Sequence, residues 1–293
     1  MREPVRVVII GSGNIGSDLL AKAGRSTALE VVGMAGIDPD SPGLARAAEA
    51  GVATSHVGLE DLLDRVPDVD VAFDATSAYA HADHARILAE RGILSVDLTP
   101  AALGPAVIPA VNIDAHIDAP DVNLVTCGAQ ATVPVVAAIA GVTELPYAEI
   151  VSTISAASAG PGTRANIDEF TQSTARAIEN VGGAKRGKAV MLLNPANPPV
   201  LMRNAIYADI PGADAEKVIA AVDEVVASVA AYVPGYRLTA RPSVLDDVIT
   251  VLLEVEGAGD YLPEYAGNLD IMTSAAVRMA ELQAGRDRKQ ATA

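Results

Sequence analysis

A glycine-rich segment near the start of the chain combines residue types that bind a dinucleotide. Gly11-Ser12-Gly13-Asn14-Ile15-Gly16 fits the pattern G-x-G-x-x-G and lies between an apolar run and an amphipathic stretch. In such a loop the first glycine permits the turn, the second lets pyrophosphate approach the backbone, and the third allows the helix to pack on the strand. The alternative is a glycine-rich turn that binds no ligand.

An acidic residue follows this loop at the spacing that ribose binding requires. Asp38 closes the second apolar run, roughly 20 residues after Gly16, as expected for the carboxylate that binds the adenosine ribose. A carboxylate there would repel a 2′-phosphate, so the spacing favours NAD over NADP. Asp38-Pro39 is equally compatible with a plain turn.

The single cysteine of the chain is the candidate nucleophile. Cys127 ends the apolar run Val122 to Cys127 and precedes Gly128-Ala129, so a strand is expected to run straight into a helix. A thiol at a helix N-terminus has its thiolate form stabilised, and backbone N–H groups in the same turn can hold an oxyanion. The alternative is a small buried hydrophobe at a strand end.

A second segment has the composition of an anion-binding loop. It reads Ser158-Ala159-Gly160-Pro161-Gly162-Thr163-Arg164-Ala165-Asn166, and Asn166 is well suited to cap the helix that begins at Ile167. Arg164 supplies a cation to this loop. Lys185, Arg186 and Lys188 form a dense basic cluster, for which contact with coenzyme A phosphates and a solvated turn are both open.

Two kinds of pattern along the chain predict two domains. Before Cys127, short apolar runs alternate with helical stretches, which is typical of a parallel sheet with crossover helices. After it, strands such as Glu149 to Ala157 and Val248 to Glu256 alternate in polarity, which favours a sheet with one covered face. We predict an α/β chain: an N-terminal Rossmann doubly wound parallel sheet in residues 1–127, joined by a C-terminal helix in 265–293, and an α+β substrate and dimerisation domain in 128–264.

Composition excludes several classes of function. The net charge of −16 argues against a nucleic-acid partner. No apolar run approaches the roughly 20 residues of a membrane span, and the N-terminus lacks the pattern of a secretory signal, so a cytoplasmic protein is expected. The four histidines all fall in the first domain and are interpreted as surface residues. His81 and His84 could mimic a metal pair, but no third ligand lies nearby, so no metal site is predicted.

Several long motifs in order resemble the acylating acetaldehyde or propanal dehydrogenases of meta-cleavage pathways. The resemblance covers nearly the whole chain. Its motifs are Asp97-Leu98-Thr99-Pro100-Ala101-Ala102, Thr126-Cys127-Gly128, Ser158 to Phe170, Val181-Gly182-Gly183-Ala184-Lys185, and Gly257-Ala258-Gly259-Asp260-Tyr261-Leu262-Pro263 to Asp270.

The resemblance implies a reaction and a set of site residues. In that family aldehyde, NAD and coenzyme A become acyl-coenzyme A and NADH, and the cysteine matching Cys127 carries the acyl group. The segments matching Ser12 to Ile15 and Ser158 to Asn166, and the asparagine matching Asn268, contact NAD. Family members form dimers and associate with a 4-hydroxy-2-oxoacid aldolase that passes on the aldehyde.

The chain departs from the family pattern beside the expected catalytic centre. Relatives commonly read Met-Arg-Asp where this chain has Met202-Arg203-Asn204, so an amide replaces a carboxylate that could help activate a thiol or water. Asn204 is therefore a candidate catalytic residue that lacks the proton-accepting capacity of the carboxylate. Two other readings remain: a phosphorylating dehydrogenase of the semialdehyde or glyceraldehyde-phosphate type, and an inactive NAD-binding subunit that holds the aldolase.

Overall fold

The computed structural model describes residues 3–160, 164 and 167–290. The described chain divides into two compact units. The first contains the chain as far as Val107, the segment Ile113–Leu124, and the chain from Thr273 onward; the second contains Ile108–Asn112 and Val125–Met272.

The first unit is built on a parallel sheet of six strands. In chain order these are β1 (Val5–Ile10), β2 (Leu29–Ala35), β3 (Ala53–Ser55), β4 (Val71–Asp74), β5 (Leu94–Asp97) and β6 (Asp121–Asn123). Their order in the sheet is β3-β2-β1-β4-β5-β6, and every pair is parallel. This is the dinucleotide-binding order, in which the connections reverse direction between β1 and β4. The predicted Rossmann sheet is confirmed.

Helices connect these strands. They are α1 (Asn14–Ala23), α2 (Pro42–Glu49), α3 (Leu59–Arg65), α4 (Ala78–Glu90) and the short α5 (Ile113–His116). Helix α4 is capped at its start by Ser77, whose hydroxyl oxygen accepts the Ala80 N–H at 3.3 Å. The sequence patterns did not predict the short elements β3 and α3, although Leu59, Leu62 and Leu63 of α3 have helical spacing and are buried.

The second unit contains a mixed sheet. Its strands are β7 (Ala148–Ser155), β8 (Gly187–Asn194), β9 (Met202–Asp209), β10 (Tyr236–Leu238), β11 (Ser243–Leu245) and β12 (Val248–Val255). The order is β10-β12-β9-β7-β8, with β11 paired to β12. Only β7 and β8 run parallel among these pairs; the others are antiparallel.

One face of this sheet is covered, as the alternating pattern predicted. Helices α6 (Cys127–Ala140), α7 (Ile167–Asn180) and α8 (Ala215–Ala230) pack with the sheet into one apolar core. Along β9 the side chains alternate strictly, with Met202, Asn204 and Ile206 buried and Arg203 and Tyr207 exposed. The strand therefore carries one core face and one face that the described chain leaves open.

The C-terminal helix α9 (Gly267–Gln290) begins in the second unit and ends in the first. Within the first unit, the Thr273 hydroxyl donates to Asp18 Oδ2 at 2.6 Å, and Lys22 forms a buried ion pair with the same oxygen at 3.0 Å. These contacts attach α9 to α1, the helix that follows the glycine loop. No helix within the described ranges is long and apolar enough to cross a membrane.

Candidate active site

The glycine loop of the first unit has a geometry that requires glycine. Gly11 has a φ of +103°, and a Cβ there would lie 2.7 Å from the Ala75 carbonyl oxygen. A Cβ at Gly16 would lie 1.8 Å from the Gly11 carbonyl oxygen, so α1 can approach the loop only without a side chain. Ser12 is held from the other side, because the Ser41 hydroxyl donates to Ser12 Oγ at 2.7 Å.

The same loop has room for a ligand. A Cβ at Gly13 would meet no described atom within 4 Å, so protein packing does not explain this glycine. Gly13 and Asn14 are exposed at the N-terminus of α1, whose N–H groups and dipole favour an anion. An open notch beside a helix N-terminus fits the pyrophosphate of a dinucleotide.

Asp38 lies exposed after β2 and takes part in a turn. Its Oδ1 accepts the Asp40 N–H at 2.9 Å, which is an Asx-turn contact. This contact uses one carboxylate oxygen. A carboxylate has acceptor sites on both oxygens, so the turn is compatible with ribose binding as well.

A strained turn positions Cys127. The predicted strand Val122 to Cys127 is wrong in extent: β6 ends at Asn123, and Cys127 is the first residue of α6. Between them Val125 has a φ of +62°, a conformation costing on the order of 1–3 kcal/mol that β-branched residues rarely adopt. Thr126 then caps the helix, its Oγ1 accepting the Ala129 N–H at 3.0 Å.

The electrostatics of the thiol differ from the sequence expectation. Burial raises the pKa of Cys127 from 9.0 to about 12, and the backbone N–H groups of Gly128 and Cys127 lower it by less. Burial therefore opposes the stabilisation of the thiolate that the sequence predicted at this helix start. The helix N-terminus contributes in the expected direction, but desolvation exceeds it. The residue keeps an accessible part of its surface, so a reactant can reach it.

A chain of close contacts connects the start of α6 with Asn204. A Cβ at Gly128 would lie 2.8 Å from Cζ of Phe170 and 3.1 Å from Oγ of Ser152. The Ser152 hydroxyl donates to Oδ1 of Asn204 at 2.7 Å, with both side chains buried. The Nδ2 group of Asn204 is buried and has no partner among the described residues. Because an unpaired buried donor is costly, the Nδ2 group makes Asn204 a candidate contact for a ligand oxygen.

The expected second loop is described in part. Ser158 and Ala159 are buried, Gly160 is exposed, and the Arg164 guanidinium donates to the carbonyls of Ala159 and Ala156 at 3.1 and 2.8 Å. These acceptors are neutral, so they leave the positive charge of Arg164 in place. The other expected cofactor residues of this loop lie outside the described residues; they are Pro161, Gly162, Thr163, Ala165 and Asn166.

Asn268 stands in the first turn of α9 and is almost completely buried. Its Oδ1 has no hydrogen-bond partner in the described chain. A carbonyl oxygen in this state can accept an N–H from an amide-bearing ligand such as nicotinamide. The candidate site residues that lie in the second unit are Cys127, Asn204, Asn268 and the described part of the second loop.

Two expectations about charged side chains change. His81 is fully buried, so its interpretation as a surface residue is wrong. Its ring contacts the carboxylates of Asp74 and Asp121, which lie far from it in the sequence or at the end of an apolar strand. In the basic cluster, Lys185 pairs with Glu144 and Lys188 with Glu149, which favours the solvated turn over a phosphate site. No cluster of His, Cys, Asp or Glu in the described ranges is arranged to hold a metal ion.

Fold and site together define a class of protein. A dinucleotide-binding Rossmann unit, joined to an α+β unit that presents a cysteine at a helix start, is the arrangement of cysteine-dependent aldehyde dehydrogenases with a nicotinamide cofactor. In proteins of this class a cysteine thiol supplies the covalent step, and the Rossmann unit binds the hydride acceptor.

Comparisons with known proteins narrow this class to one family. Residues 5–97 match the model of the oxidoreductase family with an NAD-binding Rossmann fold, and residues 127–263 match that of the prokaryotic acetaldehyde dehydrogenase dimerisation domain. An acetaldehyde dehydrogenase of Brevibacillus brevis is 56% identical, covering 94% of this chain and 95% of its own. A propanal dehydrogenase (CoA-propanoylating) of Mycobacterium tuberculosis is 54% identical, covering 96% of both chains. The chain therefore belongs to the acetaldehyde dehydrogenase family.

A solved structure agrees in fold alone. Aspartate semialdehyde dehydrogenase II of Vibrio cholerae superposes with a TM-score of 0.63 at 14% identity, covering 97% of this chain and 99% of its own. The dimerisation-domain match supports a homodimer, and the open face of the second sheet is available for one.

Proposed function

We propose that this protein oxidises acetaldehyde or propanal with NAD and coenzyme A, yielding the acyl-coenzyme A and NADH. The observation that carries the proposal is the identity of more than half over nearly the whole chain with relatives named for these two activities. The glycine loop, open at Gly13, fits NAD. The two aldehydes differ by one methylene. A hydrophobic pocket discriminates between such substrates by only about 1–3 kcal/mol of binding free energy.

Cys127 is the nucleophile in this proposal. Its Sγ forms a bond to the aldehyde carbon while the thiol proton passes to solvent, and the former carbonyl oxygen becomes the anionic oxygen of a thiohemiacetal. NAD, when bound, accepts the hydride from that carbon. A thioester then remains on Cys127, and the thiol of coenzyme A displaces the sulfur, which restores Cys127. The thioester retains oxidation energy that hydrolysis would lose.

Asn204 is the second catalytic residue that we propose. Its Oδ1 is occupied by Ser152, so the amide presents Nδ2 as a donor for the oxygen of the aldehyde or acyl group. The N–H groups of Cys127 and Gly128, which face the thiol, provide further donors at the same helix start. An amide accepts no proton near neutral pH, so Asn204 stabilises charge without acting as a base.

The cofactor contacts follow from the glycine loop and from the family resemblance. We assign NAD to Gly11 through Gly16 with Asp38 at the ribose, and to the loop Ser158 to Asn166 with Asn268. The compact unit that contains the chain as far as Val107, Ile113–Leu124 and the chain from Thr273 onward would form the NAD-binding domain, and the unit of Ile108–Asn112 and Val125–Met272 the catalytic and dimerisation domain. Support comes from the open notch at Gly13 and the unpaired Oδ1 of Asn268.

Assembly and location complete the proposal. A cytoplasmic homodimer, joined through the open face of β7, β8, β9 and β12, would associate with a 4-hydroxy-2-oxoacid aldolase that supplies the aldehyde. Light scattering tests the dimer, and a monomer at working concentration would contradict it. Copurification with a tagged aldolase tests the larger complex.

NADH formation, followed by absorbance, tests the reaction itself. The enzyme should produce NADH from acetaldehyde and propanal when coenzyme A is present, and the thioester product should appear in equal amount. Inorganic phosphate in place of coenzyme A should not support turnover; if it does, the phosphorylating dehydrogenase is the correct assignment. If wild type is inactive with both acceptors but binds NADH, the chain is an inactive NAD-binding subunit.

A further inference from the structure

A buried group of charged side chains lies at one edge of the Rossmann sheet. His81 on α4 is 0% exposed, and its Nδ1 is 2.9 Å from Oδ2 of Asp74. Its Nε2 is 3.3 Å from Oδ1 of Asp121 and 3.6 Å from Oδ2 of Asp97. His84, also on α4, places Nδ1 2.8 Å from the same oxygen of Asp74. One imidazole thus contacts carboxylates from three neighbouring strands.

The contacts determine the protonation state of His81. An ionised carboxylate only accepts hydrogen bonds, whereas a neutral imidazole has one donor and one acceptor nitrogen. Both nitrogens of His81 face carboxylate oxygens, which favours a proton on each nitrogen. Burial alone would lower the pKa of His81, but hydrogen bonds to Asp121 and Asp74 and the charge of Asp97 raise it to about 10.

The carboxylates that hold His81 also shape the neighbouring loops. Asp74 accepts the Thr76 N–H at 3.0 Å and the Thr76 hydroxyl at 2.5 Å, which sets the turn after β4. The carbonyl of Ala75 in that turn lies against Gly11, in the space a Cβ would need. At the end of β5, Asp97 accepts the Thr99 N–H at 2.6 Å and an Asn123 amide hydrogen at 2.7 Å.

We propose that His81 is a positioning residue for NAD: its buried imidazolium ties together β4, β5 and β6 and so holds the Asp74–Thr76 turn against the glycine loop. Ligands of open α/β sheets bind beyond the carboxyl ends of the strands, where this turn lies. Without the imidazolium of His81, the carboxylates of Asp74, Asp97 and Asp121 repel one another. The Asp74–Thr76 turn is then no longer held in one position. The inference rests on the proposed function only in taking NAD as the ligand.

Binding of NADH, followed by its fluorescence, tests the role of His81. His81→Gln keeps one donor but removes the charge, and we expect its NADH dissociation constant to rise at least tenfold while kcat at saturating NAD changes less than threefold. His84→Gln is the matched control, since it also loses a contact with Asp74 but spans no strands; its affinity should stay within twofold of wild type. Adding Asp97→Asn to His81→Gln removes one repelling charge and should recover part of the affinity.

The protonation state is tested on the wild-type protein without any ligand. In NMR spectra, the His81 ring resonances should keep imidazolium positions from pH 6 to pH 8.5. Titration of His81 near pH 6.5 would overturn the proposal, as would unchanged NADH affinity in a folded His81→Gln variant. Neither measurement uses aldehyde or coenzyme A, so their failure is distinguishable from failure of the proposed reaction.

Discussion

The reactivity of Cys127 as a function of pH is the most direct test of how the active site is built. Burial raises the pKa of this thiol from 9.0 to about 12, which corresponds to about 4 kcal/mol against the thiolate. At neutral pH the fraction of thiolate is then roughly a thousandfold below that of an ordinary cysteine. Since the thiolate is the reacting form, alkylation should be slow and should accelerate tenfold for each pH unit.

The chain contains a single cysteine, so every alkylation event reports Cys127. Iodoacetamide modification, followed by intact mass between pH 6.5 and pH 10, should give a logarithmic rate that rises with unit slope and without a plateau. The same chain unfolded in guanidinium is the control, and its rate should level off near pH 9. Limited access to the folded thiol lowers all rates equally, so the plateau and not the absolute rate is decisive. A plateau near pH 7 in the folded protein would show that the helix N-terminus outweighs burial.

Further predictions concern activity, specificity and stability. Cys127→Ala should lower turnover by roughly 10⁴- to 10⁶-fold but leave NADH affinity unchanged; retained turnover would refute the covalent mechanism. Asp38→Ser should narrow the preference for NAD over NADP, and an unchanged ratio of kcat/KM values would make Asp38 a turn residue only. Asn204→Asp should change turnover modestly, by at most ~10²-fold, and flatten its rise with pH; superimposed pH–rate profiles would deny residue 204 an acid–base role. The pKa of His81 lies above its unfolded value of 6.5, so its stabilisation is complete below pH 6.5 and is lost as pH rises through about 10. Guanidinium unfolding at pH 6 and pH 10 should show a loss of a few kcal/mol that His81→Gln lacks.

The position of Cys127 could be predicted from neighbouring residues in the sequence, but its pKa could not. A cysteine between an apolar run and a Gly-Ala-rich stretch predicted a nucleophile at a helix start, and Cys127 does begin α6. The sign of its pKa change could not be predicted, because helix N–H groups are local while desolvation depends on everything packed around the thiol. The positive φ of Val125 also left no signal, since valine normally favours extended backbone.

Asn204 and His81 also show which properties of a polar residue the sequence predicts and which require the folded structure. The sequence marked Asn204 only through the family's usual carboxylate; its contact with Ser152, 52 residues away in the chain, required the pairing of β7 with β9. For His81, the spacing along one helix predicted that His84 lies nearby. It did not predict that three strands end beside His81. A polar residue's environment is set by which strands become neighbours.

By itself the sequence determined the parallel first sheet, the glycine loop, the change to an alternating second sheet and the family. These depend on short-range patterns: runs of Val and Ile buried on both faces, glycines where backbone atoms touch, and the period of two in a half-covered strand. Only the tertiary structure decided that burial raises the pKa of Cys127, that His81 is buried among carboxylates, and that Nδ2 of Asn204 has no partner among the described residues. Charge and hydrogen-bonding state depend on solvent exclusion and on partners brought from distant parts of the chain, and those exist only once the chain has folded.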